Sequence, residues 1–493
     1  MNALAPAVSR LLLSLARKRG RTKWARRAAA ATVLPLLALL SFVPLASATT
    51  IERVVSPGGI KAWLVRETAV PLVTVNFAFT GGAAQDPAGK AGTANLMASL
   101  LDKGAGDFDA NAFQDRLDRK AVQLSFIAGR DHIRGTLRTL AENSDEAFDD
   151  LRLALTEPRF DASDVELNRA QILSVLRRQL KSPADLAALR WWQTAFAGHA
   201  YGRPVGGTLQ SLPTVTIDDL EAYQHRVLAR DNLTVAIVGD IDTAAAKTML
   251  DRVFGALPAT AQLTPVAPAM PQGLGRRINI DLDVPQTVID FGGAGIARND
   301  PDFFAAYIVN DILGGGSFTS RLYREVRLKR GLVYSVFDSL LWLNDSAIFF
   351  GSTATRADRT DETVGLIARE VRRLAENGPT ADELAKAKAY LNSSFVLNLD
   401  TSTKVAALLV QLQLDHLGID YIDRRQQMIA AVTLDDARRV AKRVFGGGLL
   451  FTVVGRPAAL ASAAATAGSG PARVPAALPG AMGGGDGASG ELH

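Results

Sequence analysis

At 493 residues the chain exceeds what one hydrophobic core usually organises, which implies several domains or a duplicated unit. The absence of cysteine excludes disulfides, thiolate zinc ligands and a cysteine nucleophile together. The formal charge of +5 is uneven: eight cations precede residue 48, where no acid occurs, so the remainder carries −3 and has no basic footprint for nucleic acid.

Those eight cations open a leader. They lead into the apolar run "AAAATVLPLLALLSFVPLA", Ala28 to Ala46, and the small-x-small pattern Ala46-Ser47-Ala48, which together predict a secretory signal over residues 1–48 and export to the periplasm. An uncleaved anchor is the alternative. Pro35, Pro44 and the cleavage pattern oppose it, so contact with a membrane is expected to be transient. Arg26-Arg27, flanked by alanines, is a weak twin-arginine signal.

After the leader two similar units follow. "VPLVTVNFAFTGGAAQDP" from Val70 and "VPQTVIDFGGAGIARNDP" from Val284 each read as an alternating, β-branched strand ending in a Gly-rich turn. "VTIDDLEAYQHRVLARDNLTVAIVGD" from Val215 and "VTLDDARRVAKRVFGGGLLFTVVG" from Val432 are helix-then-strand units, with Thr216 and Thr433 as N-caps and aspartates in the first turn. The offset from Val70 to Val284 nearly equals that from Val215 to Val432, and agreement this close identifies a duplication. Within the units, "DEAFDDLRLALTEP" and "DETVGLIAREVRRLAENG" carry helical periodicity, whereas "KAVQLSFIAGRDHIRGTLRTL" and "SVFDSLLWLNDSAIFFGSTAT" alternate as paired strands. The expected fold is α+β: two duplicated domains over residues 49–255 and 276–456, each a mainly antiparallel sheet covered by helices. Four prolines mark 256–275 as a linker. Residues 457–493, rich in Ala, Gly and Pro, are expected to be a disordered tail.

From Ile51 to Gly455 the chain resembles the pitrilysin, insulinase and mitochondrial processing peptidase family of zinc metallopeptidases. "GHAYGRPVGGTLQSLPTVTIDDL", "LGGGSFTSRLYREVRLKRGLVYSV" and the duplication itself carry the resemblance. Active members bear H-x-x-E-H on a helix, with two histidines holding zinc and the glutamate taking a proton from water. In "GTANLMASLLDKG" those three positions fall on Asn95, Ala98 and Ser99, within a helix expected over Thr93–Asp102, and the family's third ligand, a glutamate, falls on Val175. The resemblance therefore implies no metal in this chain, with zinc held by a partner subunit. The five histidines show no i+3 or i+4 pairing, and His132 stands beside Asp131, with opposite faces expected for the two on a strand.

In family heterodimers the subunit lacking the zinc motif supplies an arginine and a tyrosine, seven residues on, to its partner's active site. Here the resemblance maps them onto Arg327 and Tyr334, both hydrogen-bond donors suited to a peptide carbonyl and the oxyanion formed from it. Leu328 replaces a frequent acid of the motif and touches neither donor. Gly314, Gly315, Gly316 and Ser317 read as a flexible turn shaping substrate access, since no P-loop lysine follows. The implied function is that of a non-catalytic subunit pairing with an H-x-x-E-H subunit around a peptide substrate. "VQLSFIAGR" and "IFFGSTATR" are the candidate sheet edges for peptide binding. Two alternatives stay open: peptidase activity through an unconventional site, and a binding or scaffold protein without proteolysis.

Overall fold

The computed structural model describes residues 50–397 and 399–456, so the expected leader and tail lie outside the described residues. The first half runs β1 (Ile51–Val55), β2 (Lys61–Arg66), β3 (Leu72–Thr80), α1 (Thr93–Ala98), α2 (Ala110–Arg119), β4 (Gln123–Ala128), β5 (His132–Leu140) and α3 (Ser144–Thr156). It continues through α4 (Ala162–Gln179), α5 (Pro183–Ala195), α6 (Ile217–Val227), β6 (Leu233–Gly239) and α7 (Thr243–Phe254). The second half runs β7 (Arg277–Asp281), β8 (Gln286–Ala294), α8 (Phe303–Asn310), β9 (Val333–Trp342), β10 (Ala347–Arg356) and α9 (Thr360–Asn377). It closes with α10 (Ala381–Leu397), α11 (Ser402–Leu414), α12 (Tyr421–Ala431), α13 (Leu434–Phe445) and β11 (Leu450–Gly455).

The strand orders are β1-β2-β6-β3-β5-β4 and β7-β11-β8-β10-β9. Apart from the extra β1, the two sheets have the same order, and each is antiparallel except for one pair, β2 with β6 and β7 with β11. The duplication extends to single polar pairs. Asn76 donates to Thr136 across β3 and β5 at 2.9 Å, and at the equivalent place in the second half Asp290 takes the hydroxyl of Ser352 across β8 and β10 at 2.6 Å. Thr216 and Thr433 each cap a helix in a complete capping box, with Asp219 and Asp436 returning the bond to the cap amide.

Helices cover the inner face of each sheet. In the first half Phe77 meets Phe79, Phe126 and Phe254 edge-on at 5.5–6.1 Å, and Gly135 on the paired strand leaves room for its ring. A Cβ at position 135 would stand 2.1 Å from Phe77. Gly135→Ala is therefore expected to cost about 1–3 kcal/mol through overpacking, read as a lowered denaturation midpoint, and Phe77→Leu in the same chain to recover part of it.

The outer faces are covered reciprocally. α5, from the first half, packs on β8 and β11 of the second sheet, and α11, from the second half, packs on β3 and β6 of the first. The starts of these two helices, Pro183 and Ser402, are separated by close to the repeat offset. Trp191 of α5 donates its indole N–H to the carbonyl of Leu450 at 3.2 Å, and Thr452 donates to that of Ala187 at 3.0 Å. On the other side, Ala406, Leu409 and Val410 of α11 bury against Ala78, Ala236 and Val238. Each sheet is thus covered on both faces, which explains why β3 is buried along nearly its whole length instead of alternating. Residues 256–275 form no regular element and are pinned along their course, as by the Gln85 side chain, which donates to the Thr264 carbonyl and accepts its amide. Among the described residues no helix is long and apolar enough to cross a membrane.

The sheet edges correct one expectation. β4, within "VQLSFIAGR", is an edge as read from the sequence. "IFFGSTATR" is not: β10 is paired on both sides, with β8 and with β9, and the edge on that side of the second sheet is β9.

Candidate functional site

The helix that carries the degenerate motif is shorter than expected. α1 starts at Gly92, whose φ of +100° suits glycine, and the buried carboxylate of Asp86 accepts the amides of Gly92 at 2.7 Å and Ala94 at 2.8 Å. Burial pushes Asp86 up to about 7 against the opposing pull of those two amides, Arg203 and Arg226. The α-helix stops at Ala98, and the chain reaches Asp102 through turns, where the Ser99 hydroxyl donates back to the Leu96 carbonyl at 2.8 Å. Asn95 and Ser99 lie one turn apart and are half-buried, Ala98 is buried, and Val175 on α4 is exposed. A carboxamide, a methyl, a hydroxyl and an isopropyl group do not make a zinc site or a base for water. Among the described residues no three His, Cys, Asp or Glu side chains cluster as a metal site requires.

The second half brings the predicted donors together. α8 runs into a π-helical turn, Asp311–Gly315, and a second π-helical turn, Tyr323–Leu328, follows. Gly314 and Gly315 are thus part of a helical turn, where the sequence reads as an open one. Gly314 is buried, and a Cβ there would stand 2.5 Å from Asp338 Oδ1 on β9. At Gly316 it would stand 2.7 Å from the carbonyl of Asp311. Ser317 begins the short 3-10 turn Ser317–Thr319. Glycine is required here by close approach to β9 and to the preceding turn.

Arg327 sits in the second π-helical turn, a local geometry frequent at functional sites. Its guanidinium lies 4.9 Å from the ring centre of Tyr334 on β9 and 4.8 Å from that of Tyr323, and its Nη1 donates to Tyr323 Oη at 2.6 Å. The two sequence-predicted donors therefore share one surface, with Tyr334 82% exposed. Sequence reasoning misses Tyr323, although it stands four residues before Arg327, the spacing that places helical side chains together. Its ring and hydroxyl hold the guanidinium in place.

Beneath the glycine turn lies Asp338, 1% exposed, with no donor to either carboxylate oxygen among the described residues. Burial, with the negative charge of Asp311 added, pushes its carboxyl well above the usual range. The folded state then binds this proton more tightly than the unfolded state. The contribution is complete below the unfolded value of about 4 and declines as pH rises, by up to about 1.4 kcal/mol per unit, until the folded value is passed. Asp338→Asn is expected to remove that slope. Urea midpoints at pH 5, 6.5 and 8 should show the variant gaining on the native chain as pH rises, and a constant difference refutes the assignment.

A separate cavity of about 410 Å³ lies between the halves, lined in part by Arg130, His132, Arg134, Arg298 and Asp415. Arg327 and Tyr334 do not line it. Its polar groups are engaged with one another: Arg298 with Asp415 at 3.6 Å, Arg134 with Gln411 at 2.6 Å, and Asp131 with the hydroxyl of Tyr201 at 2.7 Å and the amide of Asn344 at 2.9 Å. Burial, helped by Arg134, lowers His132 to about 3, so it is neutral at physiological pH. This is the internal joint between the halves.

Residues 63–209 match the family model described as insulinase (peptidase family M16), and residues 214–391 match the model described as peptidase M16 inactive domain. An uncharacterised zinc protease of Streptomyces coelicolor is 28% identical over 418 residues, covering 82% of this chain and 90% of the relative. A Helicobacter pylori protein called non-peptidase homolog YmxG is 27% identical over 334 residues, 67% of this chain and 77% of the relative. Among solved structures, a peptidase M16 inactive domain from Pseudomonas fluorescens superposes with a TM-score of 0.78 at 25% identity, covering 83% of this chain and 98% of that one. A protease from Helicobacter pylori superposes at 0.74 and 20% identity, covering 83% and 100%.

Proposed function

Because the chain belongs to the insulinase family, peptidase M16, as a non-catalytic member, we propose that it is the complementing subunit of an exported heterodimeric zinc metallopeptidase. In this reading the partner carries H-x-x-E-H, and this chain lends Arg327 and Tyr334 to peptide hydrolysis there. The observation that supports it is the Arg327–Tyr334 contact at 4.9 Å on an exposed surface, in a chain whose own motif positions hold no ligand.

Zinc in the partner would polarise the peptide carbonyl and the attacking water. The work of this chain is to aim donors. The guanidinium of Arg327, held by Tyr323, and the phenol of Tyr334 donate to the carbonyl oxygen as negative charge develops on it, and neither has to ionise. The substrate backbone adds to a sheet edge, β4 or β9, and Tyr334 lies on β9 itself. A second reading, a proteolytically inactive peptide-binding or scaffold protein of the cell envelope, draws on the relative called a non-peptidase homolog.

The test is peptide cleavage by this chain alone, by a co-expressed H-x-x-E-H subunit alone, and by the two mixed. Cleavage is expected in the mixture only. Full activity of the other subunit alone removes the complementing role and leaves the scaffold reading.

A further inference from the structure

The surface around Arg327 has a chemistry that donating to a carbonyl does not use. Phe318, 71% exposed, meets Tyr323 edge-on at 5.2 Å, and Tyr323 and Tyr334 flank the guanidinium, so three rings and a cation form one continuous face. The exposed Leu328 extends the same turn. Around it the charge is one-sided. Arg321, Arg324, Lys329 and Arg330 share two carboxylates, Glu325 and Glu383, and Arg327 adds a fifth cation.

Glu325 is buried beneath Lys329 at 2.7 Å, Arg330 at 3.3 Å and Arg324 at 3.5 Å, and Glu383 is taken by Arg321 at 2.7 Å. Burial pushes the Glu325 carboxyl up, but hydrogen bonds from Lys329 and Arg330 outweigh it, so the carboxyl stays ionised. Five cations against two anions leave an excess of three. Arg327 makes no ion pair among the described residues, since its hydrogen bond goes to a neutral phenol.

We propose that this face binds acidic peptide segments bearing an aromatic or large apolar residue. The carboxylates go to Arg327 and the Lys329–Arg330 pair, and the apolar side chain goes to Phe318 and Tyr334. The inference rests on the reading of Arg327 and Tyr334 as substrate-facing and adds the sign and character of the substrate. Guanidinium groups sandwiched between rings are pre-organised for carboxylates, and exposed tyrosines offer an apolar body with a polar tip. Nucleic acid fits less well, because the chain beyond residue 48 carries −3 overall and one turn of chain neutralises few phosphates.

The experiment needs no partner subunit. Fluorescence anisotropy on the full chain would compare a labelled peptide alternating Glu with Phe, its Lys–Phe counterpart, a Glu–Ser counterpart, a single-stranded oligonucleotide and phosphatidylglycerol vesicles. The Glu–Phe peptide is expected to bind about 10-fold more tightly than either counterpart and to weaken as salt rises. Arg327→Gln, and separately Phe318→Ser, should each lower that affinity about 10-fold with an unchanged melting temperature. Equal binding of acidic and basic peptides overturns the proposal, as does tighter binding of the oligonucleotide or vesicles, or indifference to both substitutions. Loss of the acidic preference would leave the cleavage test above unaffected, and failure of that test would leave this one intact.

Discussion

Arg327→Ala in the mixture with an H-x-x-E-H subunit is expected to lower kcat about 100-fold with a small change in KM, the usual scale for removing one oxyanion donor. The asymmetry follows from when the bond matters. A guanidinium aimed at a carbonyl gains most as the oxygen becomes an anion, so the loss falls on the transition state. Tyr334→Phe should lower kcat by a smaller factor, because a neutral phenol is the weaker donor. Arg327→Lys should recover little, since an ammonium lacks the planar surface that now lies between two rings. Tyr323→Phe keeps the ring and removes only the hydroxyl 2.6 Å from Arg327 Nη1, so kcat should fall by less than in Arg327→Ala. Steady-state kinetics on the four variants decide the matter: an unchanged kcat for Arg327→Ala ends the donor assignment even if the mixture is active.

Trp191→Ala should be the most destabilising single change in the joint between halves, at about 4 kcal/mol. Trp191 is fully buried, stacks edge-on to Trp192 at 5.6 Å and Phe350 at 5.0 Å, and gives its indole N–H to Leu450 in the opposite sheet. Alanine leaves a cavity and removes the indole's hydrogen bond across the joint. Because α5 belongs to the first half and its site to the second, the loss should also loosen one half from the other. Chemical denaturation reads the first effect. Limited proteolysis within 256–275, faster in the variant, reads the second. A drop below about 1 kcal/mol with unchanged proteolysis would mean that the exchanged helix does not couple the halves.

Much of the molecule is legible in the chain. Repeat offsets that barely drift report the duplication because homologous halves keep their spacing, and the two capping boxes are local, each built within four residues. The missing zinc chemistry is equally local, since Asn95, Ala98 and Ser99 are read directly off one helix. What escapes depends on which hydrogen-bond partners each segment takes in the folded chain. The helix expected to Asp102 ends at Ala98, where a serine hydroxyl bonds back to the chain, and "IFFGSTATR" lies inside its sheet because β9 pairs outside it.

Residue type and short spacing suffice for the α+β class, the two-fold repeat, the helix starts and the absence of metal ligands at the motif. Which apolar face meets which is settled only in the assembled molecule. Periodicity shows that α5 and α11 have a buried side, but their partners are strands of the other half, far away along the chain in each case. The same holds at the site: Arg327 and Tyr334 are near in sequence, yet their meeting depends on a π-helical turn packed against β9, which Gly314 also approaches closely. Hydrophobic burial is non-directional, so pattern alone names the surfaces to be covered, and three-dimensional complementarity selects what covers them.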